Sequence, residues 1–215
     1  MAIIAVAGRK GGIGKSTIAG NLAGEFAALG HSVLVLDADP QHSLADWADL
    51  GEGLLSRCVE KVKSGSVETL RARARTAEQA ADFVLIDTPP GISEAAYQAA
   101  LVADLVLLPC GPSPLDLLAL KGVLNLALKA RAERRSKRPR IRLVPSRVLM
   151  HTNLGRSLSS SLEEVGKKVL PPIGQRIVVA EAVARGLTVA EYAPHSVSRE
   201  EFQKLAKAVQ KIVAR

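Results

Sequence analysis

One stretch near the N-terminus constrains the fold of this chain more than any other. Residues 8–17 read Gly-Arg-Lys-Gly-Gly-Ile-Gly-Lys-Ser-Thr. An apolar run at residues 3–7 precedes this stretch, and residues 18–29 follow it with apolar side chains at helical spacing. A buried strand, a glycine-rich turn and a helix, in that order, are typical of the phosphate-binding loop of a nucleotide-binding α/β protein.

The residue types in this loop suit a chain of phosphates. Glycines let the backbone wrap closely around phosphate oxygens, so that its N–H groups point inward. The N-terminus of the following helix adds positive potential. Lys15 is placed to reach the β- and γ-phosphates, and Ser16 offers a hydroxyl to magnesium.

The loop departs from the ordinary pattern G-x-x-x-x-G-K-[ST] at one position. That pattern has glycine five residues before Gly14, where this chain has Arg9. A second lysine, Lys10, stands before the glycine pair instead. Lys-Gly-Gly-Ile-Gly-Lys-Ser-Thr therefore resembles the deviant Walker A motif of the ParA/MinD family of ATPases. The alternative is a glycine-rich turn with two solvated lysines, which the flanking strand and helix disfavour.

The resemblance implies that the loop binds ATP and Mg²⁺. In the ParA/MinD family the extra lysine reaches across a dimer interface to the phosphates of the partner's ATP, and Lys10 occupies that position here. Lys10 and Lys15 are expected to act in catalysis, and Ser16 to bind the metal. The loop residues expected to bind ATP are Lys10, Gly11, Gly12, Ile13, Gly14, Lys15, Ser16 and Thr17.

A second apolar run, residues 33–36, ends in two aspartates within Asp-Ala-Asp-Pro-Gln. Carboxylates at the C-terminal end of a strand lie where open α/β sheets place their ligands. By resemblance to the D-x-D-P-Q motif of the family, Asp39 is expected to position the attacking water. Asp37 is expected near the magnesium ion and its waters. The alternative for Asp39 is a cap on a helix that begins at Pro40, a role compatible with catalysis.

A third apolar run, residues 83–86, leads into Asp87 and the sequence Thr-Pro-Pro-Gly. An apolar strand that ends in aspartate is the Walker B arrangement, which holds magnesium. Asp87 is therefore predicted to bind the metal. The D-T-P-P-G sequence again resembles the ParA/MinD family, where this loop senses the γ-phosphate.

Two further segments are assigned from the resemblance. In small ParA proteins a segment similar to residues 109–116 lies near the dimer interface. The loop after the strand at residues 141–144 borders the adenine in the family, which makes Arg147 a candidate for contact with the base.

These elements predict an α/β fold: a doubly wound, mostly parallel sheet with helices on both faces, of the P-loop NTPase type with a deviant Walker A motif. We expect one ATPase domain over residues 1–215, without an N-terminal helix-turn-helix domain, because the motifs begin within ten residues of Met1. This arrangement most resembles the short, ParF-like partition proteins. Residues 43–80 are interpreted as helices with loops, and Trp47 as a packing residue.

Composition excludes several classes of protein. No apolar run approaches the roughly 18–20 residues of a membrane span, and the N-terminus does not resemble a secretion signal, so a cytoplasmic location is expected. Cys58 and Cys110 fit no metal-ligand spacing, and the four histidines are scattered. The formal net charge of +8 predicts attraction to polyanions, either nucleic acid or an acidic membrane.

Two clusters of basic residues are candidates for DNA contact, although each is also compatible with an ordinary solvated face. Residues 198–214 form an amphipathic pattern in which basic side chains lie mostly opposite the apolar ones. The first cluster comprises Lys204, Lys207, Lys211 and Arg215. The second cluster runs from Arg134 to Arg140.

The resemblance implies a ParA-type ATPase that forms a homodimer with ATP, binds DNA non-specifically at the nucleoid, and drives partition of a plasmid, chromosome or other cargo. A ParB-like or other adaptor is expected to stimulate its weak hydrolysis. The alternative is a MinD-like membrane ATPase that positions the division site, with the last helix as anchor. That helix lacks tryptophan and its apolar face could pack on the sheet, so no stable membrane association is expected.

Two more readings are disfavoured. An electron carrier like nitrogenase reductase would need cysteines that bridge a cluster, which Cys58 and Cys110 do not supply by their spacing. A non-hydrolysing ATP sensor is disfavoured because Lys10 and Asp39 are both present. The cargo, the adaptor and any assembly beyond the dimer are left open by the sequence.

Overall fold

The computed structural model describes residues 1–62 and 67–214, with the backbone alone for residues 67–69. The elements in chain order are β1 (Ala2–Gly8), α1 (Lys15–Ala28), β2 (Val33–Asp37), α2 (Ser43–Asp49), α3 (Leu55–Cys58), β3 (Val59–Lys61), α4 (Val67–Ala80), β4 (Phe83–Pro90), α5 (Glu94–Val102), β5 (Leu105–Cys110), α6 (Pro114–Glu133), β6 (Arg140–Pro145), α7 (Asn153–Glu163), α8 (Ile177–Ala184), α9 (Val189–Tyr192) and α10 (Val197–Val213).

The strands form a parallel sheet in the order β3-β2-β4-β1-β5-β6. The chain builds outward from β1 in one direction through β2 and β3, and in the other through β5 and β6. Ligands of open α/β sheets bind at the carboxyl ends of the strands where the order reverses, which here is beside β1. The predicted doubly wound parallel sheet is confirmed.

Both faces of the sheet are covered by helices, which explains why the strands β1, β2, β4 and β5 are apolar over most of their length. Side chains alternate across a strand. In β1, Ile3, Ala5 and Ala7 pack with α4, α5, α6 and α7, whereas Ile4 and Val6 pack with α1 and α10 on the opposite face. The prediction of helices on both faces is therefore correct.

The interpretation of residues 43–80 as helices and loops is wrong at one point. Val59–Lys61 is an edge strand that pairs with β2, with Val59 opposite Val35. Three residues that include Glu60 and Lys61 give no apolar run, so the sequence pattern does not reveal this strand. Trp47 is 3% exposed and fills the space above Gly20, as expected of a packing residue.

Helix α10 starts at Val197 because the hydroxyl of Ser196 accepts a hydrogen bond from the backbone N–H of Arg199 at 3.2 Å. Its apolar face is buried in the core cluster that contains α1, with Phe202, Leu205, Ala206 and Val209 at 0% exposure. The predicted amphipathic pattern is confirmed, and its apolar side faces the protein interior. None of the helices in the described ranges is long and apolar enough to cross a membrane.

Candidate nucleotide-binding site

The loop between β1 and α1 has the backbone geometry of a phosphate cradle. Gly12 and Gly14 have φ values of +68° and +96°, in the left-handed region that favours glycine. Gly14 precedes the first residue of α1, and no side chain in the described chain caps that end of the helix. The first N–H groups of α1 therefore remain available to an anion.

Two side chains that directly follow β6 hydrogen-bond to this loop. The hydroxyl of Ser146 donates to the carbonyl of Ile13 at 2.9 Å, and Nη1 of Arg147 donates to the carbonyl of Gly12 at 3.0 Å. These bonds fix two carbonyls of the loop in place. Arg147 has a φ of +57°, a conformation uncommon outside glycine that concentrates at functional sites.

Replacing Ser146 with alanine is expected to weaken ATP binding several-fold, because a buried loop carbonyl loses its donor and the cradle becomes less ordered. A hydrogen bond of this kind contributes about 0.5–1.5 kcal/mol. Isothermal titration with ATP would measure the change. Ser160→Ala, which removes an exposed hydroxyl that bonds within α7, is the control and should bind ATP normally. Equal affinities for all three proteins would contradict the bracing role.

A cavity of about 630 Å³ opens beside the phosphate loop. Gly14 and Thr17 border it on the loop side, and Arg147 forms part of its wall. Its volume lies within the range of about 300–1,000 Å³ typical of small-molecule sites. Most of the other lining residues come from the segment before α8 and from α8 itself: Ile173, Gly174, Gln175, Arg176, Ile177, Val179, Ala180 and Val183. Contact of Arg147 with an adenine base in this cavity stays a prediction.

Asp37 ends β2 and Asp87 lies within the neighbouring strand β4, and the two are directly opposite each other in the sheet register. Both are 0% exposed. The carboxylate of Asp37 accepts hydrogen bonds from the backbone N–H groups of Asp39, Leu44 and Ala45 at 3.0–3.2 Å. Asp37 therefore anchors the start of α2, and its predicted place near the metal remains a prediction.

Asp87 differs from Asp37, because neither of its oxygens has a hydrogen-bond partner among the described residues. Burial raises the pKa of Asp87 to about 7; Asp37 and Asp39 add to the shift, while Ser16 and Lys15 oppose it. An unpaired buried carboxylate is unfavourable unless a cation accompanies it. The residues at this point therefore fit a bound cation.

The oxygen donors of this site suit Mg²⁺ in particular. Magnesium is usually held by one or two carboxylates together with waters and substrate phosphates, not by a cage of protein ligands. Within residues 1–62 and 67–214, no three histidine, cysteine or carboxylate side chains come together as a metal-ligand group. Asp87 with the Ser16 hydroxyl beside the phosphate loop matches the sparser magnesium arrangement.

Asp39 follows β2 and is 8% exposed. Its Oδ1 accepts a hydrogen bond from the backbone N–H of Gln41 at 3.0 Å. Helix α2 begins at Ser43 and not at Pro40, so the alternative role of Asp39 as the cap of a helix starting at Pro40 is wrong. Asp37 anchors α2 instead, and the expected role of Asp39 in water positioning stays a prediction.

Lys10 is held within its own chain. Its ammonium lies 2.6 Å from Oδ1 of Asp116, in the first turn of α6. The Lys10 side chain is 39% exposed and that of Asp116 is 14% exposed. Sequence analysis placed residues 109–116 near a dimer interface but gave Asp116 no role. Large apolar side chains nearby in the sequence are exposed, among them Leu115 at 65% and Leu118 at 59%.

None of the candidate DNA-contact residues in the described part of the chain lines the cavity beside the phosphate loop. Lys204, Lys207 and Lys211 are exposed on α10, while Arg215 lies outside the described residues. In the second cluster, Arg134 donates to the carbonyl of Ala103 and Arg138 forms an ion pair with Asp104. These two arginines are half-buried and bonded within the chain, and DNA contact by the cluster from Arg134 to Arg140 stays a prediction.

The two cysteines, Cys58 and Cys110, are free and buried. Burial raises the pKa of the Cys58 thiol and of the Cys110 thiol to about 12. Thiolate is the form that binds metals and reacts, so both side chains behave as packing residues.

Comparison with known proteins identifies relatives over most of the chain. The model of the CobQ/CobB/MinD/ParA nucleotide binding domain matches residues 4–189. The maintenance of carboxysome distribution protein A of Halothiobacillus neapolitanus is 31% identical over 188 residues, covering 86% of this chain and 85% of the relative. The chromosome-partitioning ATPase Soj of Thermus thermophilus is 32% identical over 237 residues, covering 96% of this chain and 94% of the relative.

The fold is also similar to a solved structure. The septum site-determining protein MinD of Pyrococcus horikoshii, in complex with Mg-ADP, superposes with a TM-score of 0.78 at 20% sequence identity. The match covers 98% of this chain and 96% of the MinD chain.

Proposed function

This chain belongs to the CobQ/CobB/MinD/ParA nucleotide-binding family, and we propose that it is an Mg²⁺-dependent ATPase that dimerises on ATP and then binds DNA without sequence preference. Within the family it is a ParA-type ATPase, since relatives that match most of its length are named for chromosome partitioning and carboxysome distribution. The fold, the phosphate loop and the acidic strand ends are those of a P-loop ATPase.

The observation that carries the proposal is the unpaired, buried carboxylate of Asp87 beside the phosphate loop. The loop N–H groups and Lys15 bind the phosphates, and Ser16 and Asp87 would hold the metal. Magnesium, when bound, neutralises charge on the phosphate oxygens during transfer. Asp39 orients the attacking water from the end of β2, and Lys10 supplies a positive charge to the partner's nucleotide.

ATP controls DNA binding in this proposal because it controls dimerisation. If Lys10 contacts the partner's phosphates, ATP bridges two protomers and its hydrolysis releases them. Two protomers together carry twice the formal net charge of +8. Because the salt-dependent affinity for DNA grows with the number of phosphates neutralised, the dimer binds firmly where the monomer binds weakly.

The cargo proposed for this ATPase is DNA, as in the partitioning relative, with an adaptor protein that accelerates its weak hydrolysis. The carboxysome distribution relative favours a second candidate, the positioning of a protein assembly on the nucleoid. A MinD-like membrane role receives less support, because the apolar face of α10 is buried in the core.

Fluorescence anisotropy with a labelled duplex of arbitrary sequence tests the proposal. With a slowly hydrolysed ATP analogue and Mg²⁺, we expect tight, salt-sensitive binding by a dimer. With ADP, we expect binding at least tenfold weaker, because one protomer offers half the contacts. A second duplex of unrelated sequence should bind equally. Equal affinity in the ATP and ADP states would refute the proposal.

A further inference from the structure

A second cavity, of about 520 Å³, lies at the β6 edge of the sheet. It shares no lining residue with the nucleotide cavity. Half of its lining residues are cations, and no carboxylate from the described chain lines it. The four cations come from β6, from the segment after α7 and from α10: Arg140, Arg142, Lys168 and Lys211.

The walls of this groove are built from fixed backbone. The segment at residues 168–170 hydrogen-bonds to β6, with the N–H of Leu143 donating to the carbonyl of Lys168 at 3.1 Å and the N–H of Leu170 donating back to Leu143 at 2.8 Å. The guanidinium of Arg140 donates to the carbonyl of Ile212 and so ties the start of β6 to the end of α10. The cations are therefore held on three joined elements.

The positive charge in the groove is not balanced from within. Arginine and lysine ion pairs of the described chain are formed by other residues, such as Arg73 with Glu60, Arg138 with Asp104 and Arg176 with Glu201. Arg142 is half-buried, and burial lowers its pKa, with further lowering from Arg140 and Arg131. Like charges in a partly buried groove repel one another, and a bound polyanion would relieve that repulsion.

We propose that this basic groove, lined by Arg140, Arg142, Lys168 and Lys211, binds the phosphate backbone of nucleic acid and is the surface through which the dimer contacts DNA. The proposal rests on the proposed function and adds the place of contact. The groove contains one member of each basic cluster predicted from the sequence, namely Arg140 and Lys211, together with Arg142 and Lys168.

The chemistry of the groove favours nucleic acid over an acidic membrane. Membrane binding at an interface needs apolar side chains that can enter the acyl boundary. The apolar lining residues of the groove are buried or half-buried and form its floor: Val169, Leu170, Ala208 and Ile212. Cations in a concave groove over such a floor can neutralise a row of backbone phosphates, which requires no insertion of apolar groups.

The test compares DNA binding by the unsubstituted protein and by Arg142→Gln/Lys168→Gln, both full-length with a slowly hydrolysed ATP analogue and Mg²⁺. Anisotropy at several salt concentrations gives the affinity and its salt slope. We expect the groove variant to bind at least tenfold more weakly, with a slope shallower by about two for each protomer engaged. Lys168→Gln alone, at an exposed position, should give a smaller change in the same direction. This single variant shows that the loss of binding does not come from misfolding of the double variant.

The control variant is Arg57→Gln/Arg75→Gln, which removes the same charge from exposed positions on α3 and α4. Its DNA affinity should stay within about threefold of the unsubstituted protein. Equal losses in the groove and control variants would overturn the groove assignment. So would a groove variant that loses binding to vesicles of anionic lipid but keeps its DNA affinity. If the unsubstituted protein binds no DNA with the ATP analogue, the proposed function fails as well.

Discussion

Replacement of Lys10 by glutamine is expected to abolish ATP-dependent dimerisation while the single protomer still binds ATP. The ammonium of Lys10 lies 2.6 Å from Asp116 and so is not committed to the phosphates of its own chain. Lys15, which is 6% exposed, supplies the charge in the chain's own cradle. The expected partner of Lys10 is the nucleotide of a second protomer. Loss of the Lys10 ammonium should therefore weaken dimerisation more than it weakens ATP binding by the single protomer.

Hydrolysis should fall together with dimerisation in the Lys10→Gln variant. A positive charge offered in trans to the transferring phosphoryl group, as by an arginine finger, increases the rate by about 10³–10⁵. Removal of the ammonium should therefore reduce turnover by a factor in that range, in the presence of whichever adaptor stimulates the unsubstituted protein. Light scattering after gel filtration measures the dimer, and titration with a fluorescent ATP analogue measures binding to the monomer.

Two comparison variants make the Lys10 experiment specific. Arg75→Gln removes one exposed cation from α4 and should dimerise normally. Asp116→Asn removes the partner of Lys10 but keeps the ammonium, so it should still dimerise on ATP. Normal dimerisation and normal hydrolysis by Lys10→Gln would contradict the role in trans. Loss of ATP binding by the monomer would instead place Lys10 in its own cradle.

The family, the fold class and the unit of strand, glycine-rich loop and helix were predicted correctly because each leaves a local pattern. Strands covered by helices on both faces contain continuous apolar runs, and acidic residues follow these runs directly, as Asp37 and Asp87 do. The edge strand β3 was missed because it has only three residues, and two of them are charged. Over so few positions, the periodicity of apolar residues cannot distinguish a strand from a loop.

The supporting residues of the site could not be predicted, because long-range topology sets their partners. Ser146 reaches Ile13 across 133 positions, and Lys10 reaches Asp116 across 106. The same limit applies to Arg138, whose partner Asp104 lies 34 positions away. A basic run in the sequence does not reveal that Arg134 and Arg138 bind Ala103 and Asp104, just before β5.

Replacement of Asp39 by asparagine is expected to slow ATP hydrolysis by about 10²–10⁴, the usual contribution of a positioned general base, and to leave ATP-dependent dimerisation intact. Asp39 stands at the carboxyl end of β2, and Oδ1 is oriented by the backbone N–H of Gln41 at 3.0 Å. Asparagine retains that acceptor and the side-chain size but loses the negative charge that orients the attacking water. The substitution should therefore impair the hydrolysis step and leave nucleotide binding and dimerisation unchanged.

The Asp39→Asn variant should behave oppositely to Lys10→Gln, because the first blocks release and the second blocks assembly. With ATP and Mg²⁺, Asp39→Asn should persist as a dimer that stays bound to DNA, whereas the unsubstituted protein dissociates as its ATP is consumed. Single-turnover hydrolysis and DNA dissociation followed by anisotropy measure the two effects. Asp49→Asn, a substitution at an exposed position on α2, is the control and should hydrolyse ATP normally. If Asp39→Asn hydrolyses ATP at the normal rate, another group orients the water. If it fails to dimerise, Asp39 holds the nucleotide or the interface instead.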